Sequence, residues 1–204
     1  MDQPGTTCQN SFTWSWREAD TTVNAKLLWL ALSPDGTYVL AAGTKQSTGD
    51  NHHRYIVKLN ALTGAVIWST LLPTDATFGV RSGYETIAFT QDGGFIVGGY
   101  SNHPWTEFPS FKSGGQLDNG TPILQKFSAA TASAASMGTT PTPEWTYSCS
   151  GGNSCDTLGS SKAVRVYLDQ GVEKVVTVPG VRAAVVVVDA STGAEVRFIS
   201  IVTI

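Results

Sequence analysis

Charge is what this sequence has least of. Only 14% of its 204 residues are Asp, Glu, Lys or Arg, against roughly 25% in an average globular chain. The 13 basic and 16 acidic residues leave a net charge of −3, with no Lys/Arg cluster to hold phosphates, so a nucleic-acid partner is excluded. Apolar runs are short. Ala183–Val188 is among the longest, far below the roughly 20 residues a helix needs to cross a bilayer. The first ten residues, MDQPGTTCQN, lack the charged and apolar regions of a signal peptide. Nucleophile elbows, phosphate loops, zinc-finger spacings and heme motifs are all missing, and no cofactor is expected.

Cysteine is also scarce, with three in the chain. Cys149 and Cys155 flank a Gly/Ser/Asn loop and are candidates for a disulfide, which leaves Cys8 for a free thiol or an outside partner. Asn119-Gly-Thr121 is a glycosylation sequon. Together these features favour an extracytoplasmic setting: secreted, cell-surface or lumenal.

Turn formers and aromatics are plentiful: 21 Gly, six Trp, six Tyr and eight Phe. That mixture suits an all-β chain. Internal similarity sharpens the expectation. LLWLALSPDGTYVLAAGT (27–44) aligns without a gap on YETIAFTQDGGFIVGGYS (84–101), with Asp35-Gly36 on Asp92-Gly93. A weaker copy, AVRVYLDQGVEKVVTVPG, spans 163–180 with Gly171 at the turn. Each reads as a hairpin closed by a two-residue Asp-Gly type of turn. A second pattern follows each of these. RYIVKLNALTGAVIWS (54–69) matches PILQKFSAATAS (122–133) and PEWTYS (143–148), split by an Ala/Ser/Thr insertion, and AAVVVVDASTGAEVRF (183–198). Asn60, Ser128 and Asp189 are equivalent, and an Asn or Asp before Thr-Gly is placed to bond the turn's own amides.

SFTWSW (11–16) resembles the last strand of such a unit, with Trp14, Trp68 and Trp145 in register. The chain, 1–204, is therefore expected to be one β-propeller segment: an orphan outer strand at 11–16, then four-stranded antiparallel meanders at 27–72, 84–148 and 163–202. Three blades do not close a ring, so the segment is expected to belong to a larger propeller or to assemble with itself or a protein partner. The recurring tryptophans read as blade packing, and Asp35 and Asp92 as turn residues.

The DGGFIVGGYS stretch, followed by a lysine-bearing strand, a turn and a tryptophan, resembles propeller repeats of secreted bacterial and algal proteins. KLNALTGAVIW is similar to the tryptophan-docking repeat of quinoprotein dehydrogenases and outer-membrane assembly lipoproteins. The resemblance covers about residues 11–202 and implies architecture more than activity. Quinoprotein enzymes of this kind have eight-bladed rings, a calcium-bound cofactor and often adjacent cysteines; this chain has three units and no adjacent cysteines.

Function is expected at the loops. With the four strands of each propeller unit lettered A to D in chain order, the B–C and D–A loops share one face, and here 102–121 is the longest of them. Trp105, Phe108, Phe111, Lys112 and His103 on that segment are candidate contacts for a glycan or a protein neighbour. Asp50, His52 and His53 are candidate metal ligands by residue type, without H-x-x-x-H spacing. Glu18, Asp20, Asp75, Glu85 and Glu107 supply carboxylates that nothing in the sequence pairs. The reading is a non-catalytic scaffold or binding module. The alternatives are a portion of a propeller enzyme, quinoprotein-like or hydrolytic, whose catalytic residues lie in other blades, and an accessory subunit of a large complex.

Overall fold

The computed structural model describes residues 14–18, 24–46, 52–72, 81–101, 121–148, 160–179 and 184–200. Twelve strands form three antiparallel sheets, each a four-stranded meander in chain order. Sheet 1 holds β1 (Ala25–Leu32), β2 (Tyr38–Gln46), β3 (His52–Asn60) and β4 (Val66–Leu72). Sheet 2 holds β5 (Gly83–Phe89), β6 (Phe95–Ser101), β7 (Thr121–Phe127) and β8 (Trp145–Ser148), with the short helix α1 (Ala129–Ser133) between the last two. Sheet 3 holds β9 (Ser161–Asp169), β10 (Val172–Pro179), β11 (Ala184–Asp189) and β12 (Glu195–Ser200). These are the blades of a propeller, and no described helix is long and apolar enough to cross a membrane.

Local chemistry explains the turns, and corrects one detail of the repeat. Only the third A–B turn is a two-residue hairpin: Asp169 pairs with Val172, and Gln170 and Gly171 take φ of 51° and 81°, the doubly left-handed type I′ geometry. In sheet 1 Leu32 pairs with Val39, and in sheet 2 Phe89 pairs with Phe95. The first loop is thus one residue longer. Asp35 and Asp92 do similar work, each accepting a hydroxyl donor two residues before it (Ser33, Thr90) and a backbone N–H two residues after it (Thr37, Gly94). The extra residue shifts the second strands, so Gly43 corresponds to Gly99 rather than to Tyr100. A Cβ on either glycine would strike a first-strand carbonyl, Lys26 O at 1.8 Å or Gly83 O at 1.9 Å. The ungapped alignment conceals this offset.

The C–D turns form as their Asx residues dictate. Asn60 Oδ1 accepts the amides of Leu62 and Thr63 at 3.0 and 2.9 Å, and Asp189 Oδ1 those of Ser191 and Thr192 at 3.0 and 3.2 Å. Ser128 instead caps α1, accepting the Thr131 amide at 3.2 Å. The Ala/Ser/Thr insertion therefore starts as a helical turn.

Alternation along the strands gives every sheet two apolar faces, and the sheets stack on them. Leu40, Ala42, Ile56 and Leu72 of sheet 1 meet Tyr84, Ile87, Phe95, Ile123 and Phe127 of sheet 2. On the other side of sheet 2, Ile96 and Leu124 meet Val164, Val175, Val186 and Val188 of sheet 3. Phe95 and Phe127 stack at 5.0 Å between centroids.

A buried polar seam runs through the first junction. Gln125 Oε1 accepts from Arg54 Nη1 at 2.6 Å and from the Tyr84 hydroxyl, and Gln125 Nε2 donates to Thr146 at 3.0 Å. Full burial pushes the Tyr84 phenol well above its ordinary pKa, against a lowering influence of Arg54, so the hydroxyl stays a donor.

Candidate interaction surfaces

Sheets 1 and 2 each carry an indole onto the next sheet's C–D turn. Trp68 Nε1 of sheet 1 donates to Ala134 O, the C-cap of α1 in sheet 2, at 3.1 Å. Trp145 Nε1 of sheet 2 donates to Ala190 O in sheet 3 at 3.0 Å, and its ring lies flat on Gly193. A Cβ there would sit 2.7 Å from Trp145 Cδ2 and Cε3, so the seat requires glycine as well as its φ of +71°. A lysine on the neighbouring strand completes the junction. Lys58 pairs with Trp68 across β3 and β4, donates to the same Ala134 carbonyl at 2.9 Å and lies 4.0 Å over the Tyr38 ring. Lys126, paired with Trp145, instead bridges Asp92 at 2.5 Å and Glu144 at 3.3 Å. Burial works against the charged form of Asp92, but the Lys126 ammonium and the Thr90 hydroxyl prevail and hold its carboxyl down to about 2.

Residues 14–18 repeat this geometry with no further strand of their own sheet among the described residues. Trp14 Nε1 donates to Ala61 O at 2.9 Å, and its ring lies on Gly64, where a Cβ would come within 2.5 Å. Exposure alternates along the segment: Trp14, Trp16 and Glu18 are half-buried against sheet 1, while Ser15 and Arg17 point to solvent. Glu18 accepts the Tyr55 hydroxyl at 2.9 Å and faces Lys45 at 3.2 Å. The orphan segment therefore occupies the place of a fourth strand, with no ladder partner among the described residues.

The loop face is organised by short links between corners. Ser82 N–H donates to His52 O at 3.0 Å, joining the start of β3 to the approach to β5. The 102–121 stretch leaves and re-enters at the Ser101–Thr121 pair of β6 and β7. His103, Trp105, Phe108, Phe111, Lys112 and Asn119 on it, and Asp50, Cys149 and Cys155 elsewhere, lie outside the described residues.

His52 and His53 are consecutive strand residues paired with Gln46 and Lys45, so they face opposite sides of the sheet. Burial, with Arg54 adding to it, lowers the His53 pKa and favours the neutral ring. No group of three His, Cys, Asp or Glu suited to a metal ion occurs among the described residues. Of the carboxylates, Glu85 receives Lys162 at 2.8 Å and the Ser160 hydroxyl, Glu18 holds the orphan segment, and Asp20, Asp75 and Glu107 lie outside the described residues. Sequence reasoning missed the carbonyl seats at Ala61, Ala134 and Ala190. The signal for two of them is the four-residue step from the turn glycine to the next tryptophan position, which also aligns Arg197 of β12 with Trp68.

No family model matches the sequence, and no curated protein matches it. Solved structures do. The chain is similar to a quinohemoprotein alcohol dehydrogenase, ADHIIG, of Pseudomonas putida HK5, with a TM-score of 0.56 at 14% identity over 94% of this chain and 30% of that one. It is also similar to the quinohemoprotein alcohol dehydrogenase of Comamonas testosteroni (TM-score 0.49, 15% identity, 82% of this chain and 28% of that one). A third similar structure is BamB of Moraxella catarrhalis (0.42, 13%, 85% and 37%). The likeness is one of fold, and the chain spans about a third of the length of these proteins.

Proposed function

We propose that this chain is a non-catalytic propeller module, working outside the cytoplasm, that holds a protein neighbour or a glycan on the face formed by residues 102–121 and the loops beside them. The observation that carries this reading is the mounting of that segment. It springs from one residue pair, Ser101 and Thr121, on the sheet whose two faces are both buried against neighbouring sheets. A long aromatic insertion on a rigid platform is the arrangement that recognition loops use. Trp105, Phe108 and Phe111 supply the apolar contact, with Lys112 and His103 as polar partners. The sheets beneath act as scaffold, and the recurring turns and tryptophans dock one blade to the next.

Two measurements on the purified chain test this. Glycan-array binding that is lost in Trp105→Ala identifies the glycan version. Cross-linking mass spectrometry in the source cells that maps a neighbour onto 102–121 identifies the protein version. Binding unchanged by Trp105→Ala and Phe108→Ala together contradicts the reading, as does a bound quinone chromophore with alcohol-oxidising turnover, the outcome expected of a portion of a propeller enzyme.

A further inference from the structure

The link between β7 and β8 is longer than its turn requires. In sheets 1 and 3 the same link is a tight turn closed by Asn60 or Asp189. In sheet 2 it runs from Ser128 to Glu144, whose amide bonds to Lys126 O at 2.7 Å where the sheet resumes. Two points hold it down. The Ala134 carbonyl receives Trp68 and Lys58, and Met137 packs against the core between sheets 1 and 2. Beyond Met137 the chain stands clear. A Cβ on Gly138 would meet nothing within 4 Å, and residues 140–143 belong to no helix or strand.

The hydroxyls of the link fall into two sets. Ser128, Thr131 and Ser133 are engaged at α1: Ser128 Oγ and Thr131 Oγ1 lie 3.2 Å apart, and Ser133 donates to Ala130 O at 3.4 Å. Thr139, Thr140 and Thr142 are exposed, and their hydroxyls bond to no described residue. Ser136 is exposed as well, but it lies between the two anchors. Pro141 and Pro143 alternate with Thr140 and Thr142. Proline lacks an amide N–H, and its ring drives the residue before it towards extended backbone. The result is an extended, hydroxyl-bearing segment on a fixed base, which an enzyme's cleft can take without unfolding the sheet.

We propose that Thr139, Thr140 and Thr142 are acceptors for O-linked glycosylation with a neutral sugar. In the transfer, the threonine Oγ1 bonds to C1 of a nucleoside-diphosphate sugar and the bond from C1 to the diphosphate breaks. The hydroxyl proton leaves through a base of the transferase, and the nucleoside diphosphate departs with the bonding electrons. Nothing is oxidised or reduced. Charge around the segment selects a sugar over a phosphoryl group. A phosphate would add about −1.5 to −2 charge close to Glu144, and Lys126 beside it is already shared between Glu144 at 3.3 Å and Asp92 at 2.5 Å. A neutral sugar adds bulk and hydroxyls without charge, and Ser/Thr interleaved with Pro is the composition of O-glycosylated stalks. The segment lies at the opposite end of β7 from residues 102–121, roughly 20 Å along the strand, and the proposal does not rest on that loop's role.

The test takes the chain purified from its source cells, denatures it, cleaves it after Lys126 and Glu144, and sequences the 127–144 peptide by electron-transfer mass spectrometry. The expected spectrum carries the mass of one or more hexose or N-acetylhexosamine units on Thr139, Thr140 or Thr142, with Ser128, Thr131 and Ser133 bare. A chain with Thr139→Val, Thr140→Val and Thr142→Val together is expected to lose that mass from the peptide and keep its urea midpoint, since the replaced hydroxyls bond to nothing. A bare peptide from the parent chain overturns the proposal, as does a phosphoryl group on Thr140 or Thr142. Sugar confined to other residues of the peptide, or retained on it in the triple variant, overturns it too.

Discussion

Replacing Gly193 by alanine perturbs the docking seat at one atom. Two costs add at this site. Gly193 has φ of +71°, and a Cβ in the left-handed region costs about 1 kcal/mol. The same Cβ would lie 2.7 Å from two ring carbons of Trp145 and 3.0 Å from a third. The indole cannot retreat freely, because its N–H is bonded to Ala190 O at 3.0 Å, so overpacking or loss of that bond adds about 1–3 kcal/mol. Gly36 is the matched control: its φ is also +71°, and nothing lies within 4 Å of an added Cβ. Gly36→Ala should therefore cost about 1 kcal/mol and Gly193→Ala about 2–4 kcal/mol. Urea unfolding followed by circular dichroism and tryptophan fluorescence measures both, and 1 kcal/mol corresponds to roughly 2–4 °C for a chain of this size. In a Trp145→Leu background the excess for Gly193→Ala should vanish, leaving only the φ cost. Equal costs at Gly193 and Gly36, or an excess that survives the loss of Trp145, would refute the seat.

Three further outcomes follow from the packing and charge arrangement. Gln125→Leu removes the acceptor shared by the buried Tyr84 hydroxyl and Arg54 and should cost about 2–3 kcal/mol in urea unfolding; a loss under 0.5 kcal/mol would contradict the seam. Leu30, 64% exposed, and Ile87, 1% exposed, follow the same first-strand bulge in sheets 1 and 2. Leu30→Lys should change stability by no more than about 0.5 kcal/mol, whereas Ile87→Lys at the equivalent covered position should prevent folding; similar effects at the two sites would mean their faces are alike. Asp92 is held down to about 2, below the ordinary 3.8, so its ion pair stabilises the fold above about pH 4 and this contribution is lost as pH falls towards 2. The side chain is 51% exposed, so screening leaves about 1 kcal/mol. Asp92→Asn should lose that amount at pH 7 and match the parent chain near pH 2, and a constant difference across this range would contradict the assignment.

The blades were legible because their turns are written locally. Asn60 and Asp189 bond the amides two and three residues ahead, a contact that depends on neighbours in sequence alone. The tryptophans were legible as packing residues because Trp14, Trp68 and Trp145 fall in register in the last strand of similar segments, although the carbonyls that receive them are invisible until the sheets stack. Ala134 became a seat only because Ser128 caps a helical turn in what read as low-complexity filler. The one-residue difference between the first two A–B loops escaped because Asp35 and Asp92 carry the same turn chemistry and draw the alignment to themselves. The seam of Arg54, Tyr84 and Gln125 was not legible at all, since its members come from three strands and Arg54 and Gln125 stand 71 residues apart. Asp50, His52 and His53 are candidate metal ligands by residue type alone, and the strand period turns His52 and His53 to opposite sides of the sheet.

Exchange of the six tryptophan indole protons, resolved by NMR, tests the central claim that an indole from residues 14–18, from sheet 1 and from sheet 2 docks on the turn of the sheet that follows. The account predicts slow exchange for Trp14, Trp68 and Trp145, whose Nε1–H groups are bonded to the carbonyls of Ala61, Ala134 and Ala190, and fast exchange for the exposed Trp29. A Trp14 proton exchanging as fast as that of Trp29, beside protected Trp68 and Trp145, would contradict the docked strand, and all four exchanging alike would contradict the docking of the blades.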